Sequence, residues 1–175
     1  AVQVAADRGR PIQEINITPF VPEMDGADTA SFSTAAADSF TSQAAAVIES
    51  LEVGARVLLI DENSSSSAFL TSDSRVAGLI GETATVSLAQ RARQMVDELG
   101  VSIVVAGENL VAEYIPVADT VLKVTDFQVT EVTDEAKALD LNPAPAAPAV
   151  NLEPMLGRSR WIMPSSIDAS VGRLD

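Results

Sequence analysis

Four consecutive apolar residues, Val57-Leu58-Leu59-Ile60, run without a break into two acids, Asp61-Glu62, and this junction constrains the fold more than any other stretch. An apolar run without polar alternation marks a strand covered on both faces, the situation of a parallel sheet flanked by helices. Its neighbours in the chain agree. Residues 43–52 place Ala44, Val47, Ile48 and Leu51 on one helical face at i, i+3, i+4 and i+7, with Ser39, Thr41 and Ser42 as candidate N-caps and Gly54 as a stop. Residues 68–80 read as a short helix and 87–99 as a clear one ending at Gly100, followed by a second buried strand over 101–106. A helical stretch over 109–115 and a third strand over 120–124 continue the alternation, which predicts an α/β fold with a doubly wound sheet.

Before this region, the alternating stretches 2–6 and 12–17, joined by Asp7-Arg8-Gly9-Arg10-Pro11, predict an N-terminal β-hairpin, and 23–37 predicts a loop. After it, 134–141 reads as a last short helix, and 142–154, with four prolines among alanines, as a polyproline-like linker. Residues 155–175 carry Arg158, Arg160 and Arg173 with Trp161, too few apolar groups for a second core. The expected organisation is one unit over 1–141, a linker over 142–154 and a tail over 155–175.

Composition narrows the chemistry. With 25 acidic and 11 basic residues among 175, the net charge of −14 argues against nucleic acid or an anionic membrane held by bulk electrostatics. The chain has no Cys and no His, which excludes disulfides, thiolate nucleophiles, zinc sites built on those residues and Ser-His-Asp catalysis. Carboxylates, hydroxyls, Arg, Lys or a hard metal ion held by oxygens are left. No apolar run reaches the roughly 18 residues a bilayer span needs, and the signal-peptide pattern is missing at Ala1, so a cytoplasmic protein is expected. Ala1 in place of an initiator Met predicts that the chain begins inside a larger protein. The serine run 64–67 reads as a loop, because no base stands near it to activate a hydroxyl. Arg91 and Arg93, with Asp97 and Glu98, read as a solvated helix face with i, i+4 pairs.

In an open α/β sheet, ligands bind beyond the carboxyl ends of the strands, so Asp61 and Glu62 stand where a substrate would. The pattern has the form of a Walker B element, in which the first acid holds Mg²⁺ through water and the second orients or deprotonates the attacking water. Solvated acids at a strand end are the plainer alternative. Directly upstream, the hydroxyl-rich Ser39-Phe40-Thr41-Ser42-Gln43 opens a helix whose N-terminus suits a phosphate. Capping alone also favours Ser and Thr there.

Several segments together resemble one family. Ile17-Thr18-Pro19-Phe20, Phe32-Ser33-Thr34, Thr41-Ser42-Gln43-Ala44-Ala45, Leu58-Leu59-Ile60-Asp61-Glu62, Leu99-Gly100-Val101-Ser102, Val117-Ala118-Asp119-Thr120-Val121 and Val132-Thr133-Asp134-Glu135-Ala136-Lys137 fall in the order of the C-terminal half of the bacterial ATPases of the ABC class. Arg160, Pro164, Ser166, Asp168, Ser170, Gly172 and Arg173 are similar to the stretch that follows the ATPase core in that family. The resemblance implies a P-loop NTPase-like partial sheet with flanking helices, ATP and Mg²⁺ as cofactors, and a homodimer that sandwiches nucleotide. It makes Asp61 the Mg²⁺ acid and Glu62 the general base. Ser39, Thr41, Ser42 and Gln43 would belong to a signature that closes on ATP held by another subunit, Ser65 to the loop at the dimer interface, and Gly107 to the switch position.

The chain departs from that pattern in three places. It has no Gly-x-x-x-x-Gly-Lys-Ser/Thr loop, and its only lysines, Lys123 and Lys137, are not preceded by glycines, so the phosphate cradle is missing. Asp38-Ser39-Phe40 stands where Ser-Gly-Ser is expected, and Glu108 follows Gly107 where many ABC ATPases carry a His. Either the phosphate loop lies upstream of Ala1, the preferred reading, or the chain is a non-catalytic acidic α/β interaction module that has lost nucleotide chemistry. A flavodoxin-like or receiver-like domain fits less well, because it gives the hydroxyl-rich helix start no role. The resemblance further predicts a gap between the strands at 101–106 and 120–124, where the phosphate-loop strand would lie. Sequencing the gene upstream of Ala1 should reveal a glycine-rich loop ending in Lys-Ser or Lys-Thr, and a sequence without one would favour the interaction module.

Overall fold

The apolar run becomes β4 (Val57–Asp61), the middle strand of a parallel three-stranded sheet in the computed structural model, which describes residues 1–72, 85–141 and 143–156. It lies between β1 (Val2–Val4) and β5 (Ser102–Ala106), with Val4 opposite Ile60 and Asp61 opposite Ala106. Alternation sorts the side chains between the two faces. Val4, Leu58 and Ile60 are buried, whereas Leu59 is 38% and Val104 51% exposed. The expected cover on both faces is therefore not made by the described residues. Helices α1 (Ser39–Glu52) and α3 (Leu88–Leu99) both deliver apolar side chains to the single core that contains Leu58 and Ile60.

Helix α1 starts earlier than its apolar stripe and is capped by Asp38 rather than by Ser39, Thr41 or Ser42. One Asp38 oxygen accepts the Thr41 N–H at 2.9 Å and the other accepts the Thr41 hydroxyl at 2.8 Å. A carboxylate there also meets the positive end of the helix dipole. Helix α3 matches its sequence signals, with a capping box between Ser87 and Gln90 and a left-handed Gly100 at φ +62°.

Several expectations are corrected. The N-terminal stretches do not form a hairpin. Strand β1 adds to the parallel sheet, while β2 (Ile12–Ile15) pairs antiparallel with β3 (Phe32–Thr34), a strand inside the stretch read as loop. The connection cannot fold back because it is tied elsewhere. The Asp7 N–H donates to Ser42 Oγ, the Gly9 N–H to the Ala37 carbonyl, and Arg10 reaches Glu49 at 2.9 Å. Helix α2 (Ser67–Leu70) is a single turn, and positions 73–80 of the longer helix read there lie outside the described residues. Residues 109–115 form turns and lead into a 3₁₀ turn, Ile115–Val117, in place of the expected helix.

The third strand, β6 (Leu122–Thr125), pairs with β7 (Gln128–Glu131), which the sequence reading missed, in an antiparallel hairpin separate from the parallel sheet. Asp126 and Phe127 both have positive φ, the geometry of a two-residue type I′ connection. The expected gap is thus present. Between the outer edge of β5 and the approach to β6 lies a cleft of about 450 Å³, lined among others by Val104, Val105, Tyr114, Val117, Asp119 and Leu122. Helix α4 (Thr133–Lys137) is shorter than expected.

The proline-rich stretch is a strap rather than a free linker. Arg91 is buried at 1% exposure, not solvated, and its guanidinium donates to the carbonyls of Pro19 at 3.2 Å and Pro148 at 2.7 Å, and to the Gln94 side chain. Gln94 in turn donates to the Val150 carbonyl, and Leu152 and Met155 enter the core. Burial lowers the Arg91 pKa against an opposing contribution from Glu98. Arg93 has the expected exposed role, paired with Asp97 and also with Asp119. The rest of the tail, 157–175, lies outside the described residues. Replacing Arg91 by Ala should lower the unfolding free energy by about 2–4 kcal/mol, because hydrogen bonds from a charged group are lost and the Pro19 carbonyl loses this donor. Arg93→Ala should leave stability nearly unchanged. Urea denaturation of the two variants compares them, and equal effects would contradict the strap.

Candidate functional site

The carboxyl end of β4 brings three predicted residues together. Asp61 and Glu62 follow Ile60, and the register that sets Asp61 opposite Ala106 puts Gly107 beside them. Asp61 is half-buried, and its Oδ1 accepts the Asn63 N–H at 3.3 Å, turning the chain into a short 3₁₀ segment, Glu62–Ser64. Among the described residues no group of three or more acidic side chains could form a complete metal cage. One half-buried carboxylate with a single weak N–H contact still fits a Mg²⁺ ion, which keeps several waters and takes its other ligands from phosphate.

Glu62 is held firmly at the end of β5. Its Oε2 accepts the N–H groups of Glu108 at 2.8 Å, Asn109 at 3.0 Å and Leu110 at 3.2 Å. These donors, Asn109 first and Leu110 next, hold the carboxyl below the usual carboxylate range against a smaller opposing effect of burial. Tyr114 anchors the segment that follows, its buried hydroxyl donating to the Leu70 carbonyl, and burial pushes its pKa up.

The signature-like residues turn inward. Gln43 is fully buried, and its amide clamps the serine turn, Nε2 donating to Ser65 Oγ at 2.8 Å and Oε1 accepting the Ser66 N–H at 2.8 Å. Ser65 passes the connection on by donating to the Asp61 carbonyl at 2.7 Å. Thr41 is engaged by Asp38, and buried Ser42 donates to the Ser39 carbonyl while accepting the Asp7 N–H. Ser39 alone of the four is partly exposed. The structure therefore ties Gln43, Ser65 and Asp61 into one chain of hydrogen bonds and joins Glu62 to Gly107. Ser39, Thr41 and Ser42 remain at the helix start, where the hydroxyls of Thr41 and Ser42 bond to Asp38, Asp7 and Ser39 rather than to Asp61 or Glu62. The amides of 108–110 escaped the sequence reading because backbone donors have no side-chain signature, and the Tyr114 anchor because its hydroxyl meets a backbone carbonyl 44 residues away. Gln43→Ala should cost about 1–3 kcal/mol by leaving buried partners unpaired, and should speed hydrogen exchange at the Ser66 amide. Unchanged exchange at Ser66 would contradict the clamp.

No helix among the described residues is long and apolar enough to cross a membrane. The parallel sheet and mixed α/β order fit a P-loop NTPase-like fold, and comparison with known families points the same way. The ABC_ATPase family model, described as a P-loop domain, matches residues 1–153. A search of curated proteins gives no match. The match over residues 1–153, most of the chain, makes this chain a member of the ABC_ATPase family, a family of P-loop ATPases.

Proposed function

We propose that the chain is the Walker B part of an ABC-class ATPase that binds and hydrolyses Mg-ATP, with the phosphate loop supplied from outside residues 1–175. The observation that carries this reading is the placement of Asp61 and Glu62 at the carboxyl end of the middle parallel strand, one strand away from an open cleft. The cleft beside β5 is where a further strand leading into a phosphate loop would fit. Asp61 would hold Mg²⁺ through water, and Glu62 would orient the attacking water and take its proton. Bound Mg-ATP supplies the phosphoanhydride and the charge neutralisation at the transferring phosphoryl group. Ser39 and the amide groups at the start of α1 that Asp38 does not take would face nucleotide held by a second copy. Thr41, Ser42, Gln43 and Ser65 would act on it indirectly, by fixing the helix start and the serine turn.

The second reading, an acidic interaction module without nucleotide chemistry, draws on the inward engagement of Gln43, Thr41 and Ser42 and on the capture of Glu62 by backbone amides. The two readings separate in a protein extended upstream of Ala1. Under the first, Glu62→Gln lowers turnover by about 10²-fold or more while Mg-ATP stays bound, and Asp61→Asn weakens the Mg²⁺ dependence of binding. Turnover unchanged in Glu62→Gln overturns the assignment of the base, and an extended wild type that binds no Mg-ATP supports the module.

A further inference from the structure

Gly107 does not need to be glycine for its backbone, because its φ is not among the positive values in this chain. It needs to be glycine for space. A Cβ built at 107 would overlap Glu62 Oε2 and lie 2.9 Å from Glu62 Cβ and 3.0 Å from Val111 Cγ1. Real Cβ atoms essentially never come as close as the two Glu62 contacts, so any side chain at 107 must move the carboxylate. The Glu62 side chain crosses directly over this residue to reach three successive N–H groups, those of Glu108, Asn109 and Leu110. Successive amides converging on one point form an anion nest. Here the anion is the protein's own carboxylate. All three donors fall on Oε2, so Oε1 takes none of them.

We infer that Gly107 and the amides of 108–110 form a positioning device for Glu62: the nest grips Oε2, and the bare Cα of Gly107 lets the side chain lie across it. This rests on the reading of Glu62 as the general base and deepens it. Gly107, taken from the resemblance as the switch position, acts in this arrangement on the carboxylate. A base needs orientation as well as basicity, and a carboxylate anchored through one oxygen keeps the other in a fixed direction. The device also couples the ends of β4 and β5, so a displacement of 107–110 would carry the Glu62 carboxylate with it.

Two measurements test it. Hydrogen exchange by NMR on the 175-residue chain reads the grip itself. Exchange at the Asn109 and Leu110 amides should quicken about tenfold or more in Gly107→Ala. Glu62→Asp, one methylene shorter on an untouched backbone, should do the same, with amides of β4 and α1 unaffected in both. Protection at 109 and 110 unchanged in both variants overturns the grip. Steady-state kinetics on the protein extended upstream of Ala1 reads its purpose. Gly107→Ala should lower kcat about tenfold or more with KM for Mg-ATP little changed. A KM effect with kcat retained would show that Gly107 serves nucleotide binding and overturn the positioning role. An extended wild type without Mg-ATP turnover overturns the proposed function, and with it the catalytic purpose of the grip, while the exchange experiment still decides whether the grip exists.

Discussion

The buried guanidinium of Arg91 fastens together parts of the chain that local structure would leave separate. It reaches the N-terminal arm at Pro19 and the proline-rich strap at Pro148 from a helix that packs on the sheet, and two of its bonds go to backbone carbonyls. A carbonyl carries no formal charge, so the cation is solvated without a buried ion pair and its geometry is fixed by the fork of donors. The strap, held there and at Val150, carries Leu152 and Met155 into the same core as Leu58 and Ile60. Without this anchor, a stretch with four prolines would have few backbone donors with which to hold itself in place.

The end of β4 follows a similar logic on a smaller scale. The chain from Gln43 through Ser65 to the Asp61 carbonyl sets the turn that follows the acids, and the nest at 108–110 sets Glu62. Each acid is thereby held by the backbone of a different element, Asp61 by its own turn and Glu62 by the end of the neighbouring strand. The helix start uses its hydroxyls in the same inward fashion, with Asp38 completing the cap. The region is organised around the acid pair.

Much of this was legible from residue order. The unbroken apolar run became the central parallel strand, the 87–99 pattern became α3 with both of its expected ends, and the gap beside 101–106 is present. The strand and the helix depend on local periodicity, which sequence encodes directly, whereas the gap was implied by the family resemblance. The pairing of β1 was not legible, because alternation alone fits either a hairpin or a parallel edge, and the choice depended on Asp7, Gly9 and Arg10 bonding to groups 28–39 residues away. Arg91 and Arg93 look alike as letters two positions apart on a helix. Their opposite burial arises because a two-residue step turns the side chain to another face of the helix, and only the packing of the strap shows which face is inside.

The sequence by itself determined an α/β chain free of thiol and imidazole chemistry, with an acid pair at the end of a strand and a hydroxyl-rich helix start before it. Those properties belong to composition and short-range order. The tertiary structure decided which oxygens, amides and hydroxyls are engaged: Gln43 on the serine turn, Asp38 on Thr41, Glu62 on the amides of 108–110 over a glycine with no room for a Cβ. Hydrogen bonds to the backbone leave no trace in the identity of the donor residue, so the place where Glu62 is held could be seen only once the ends of two strands had been brought side by side.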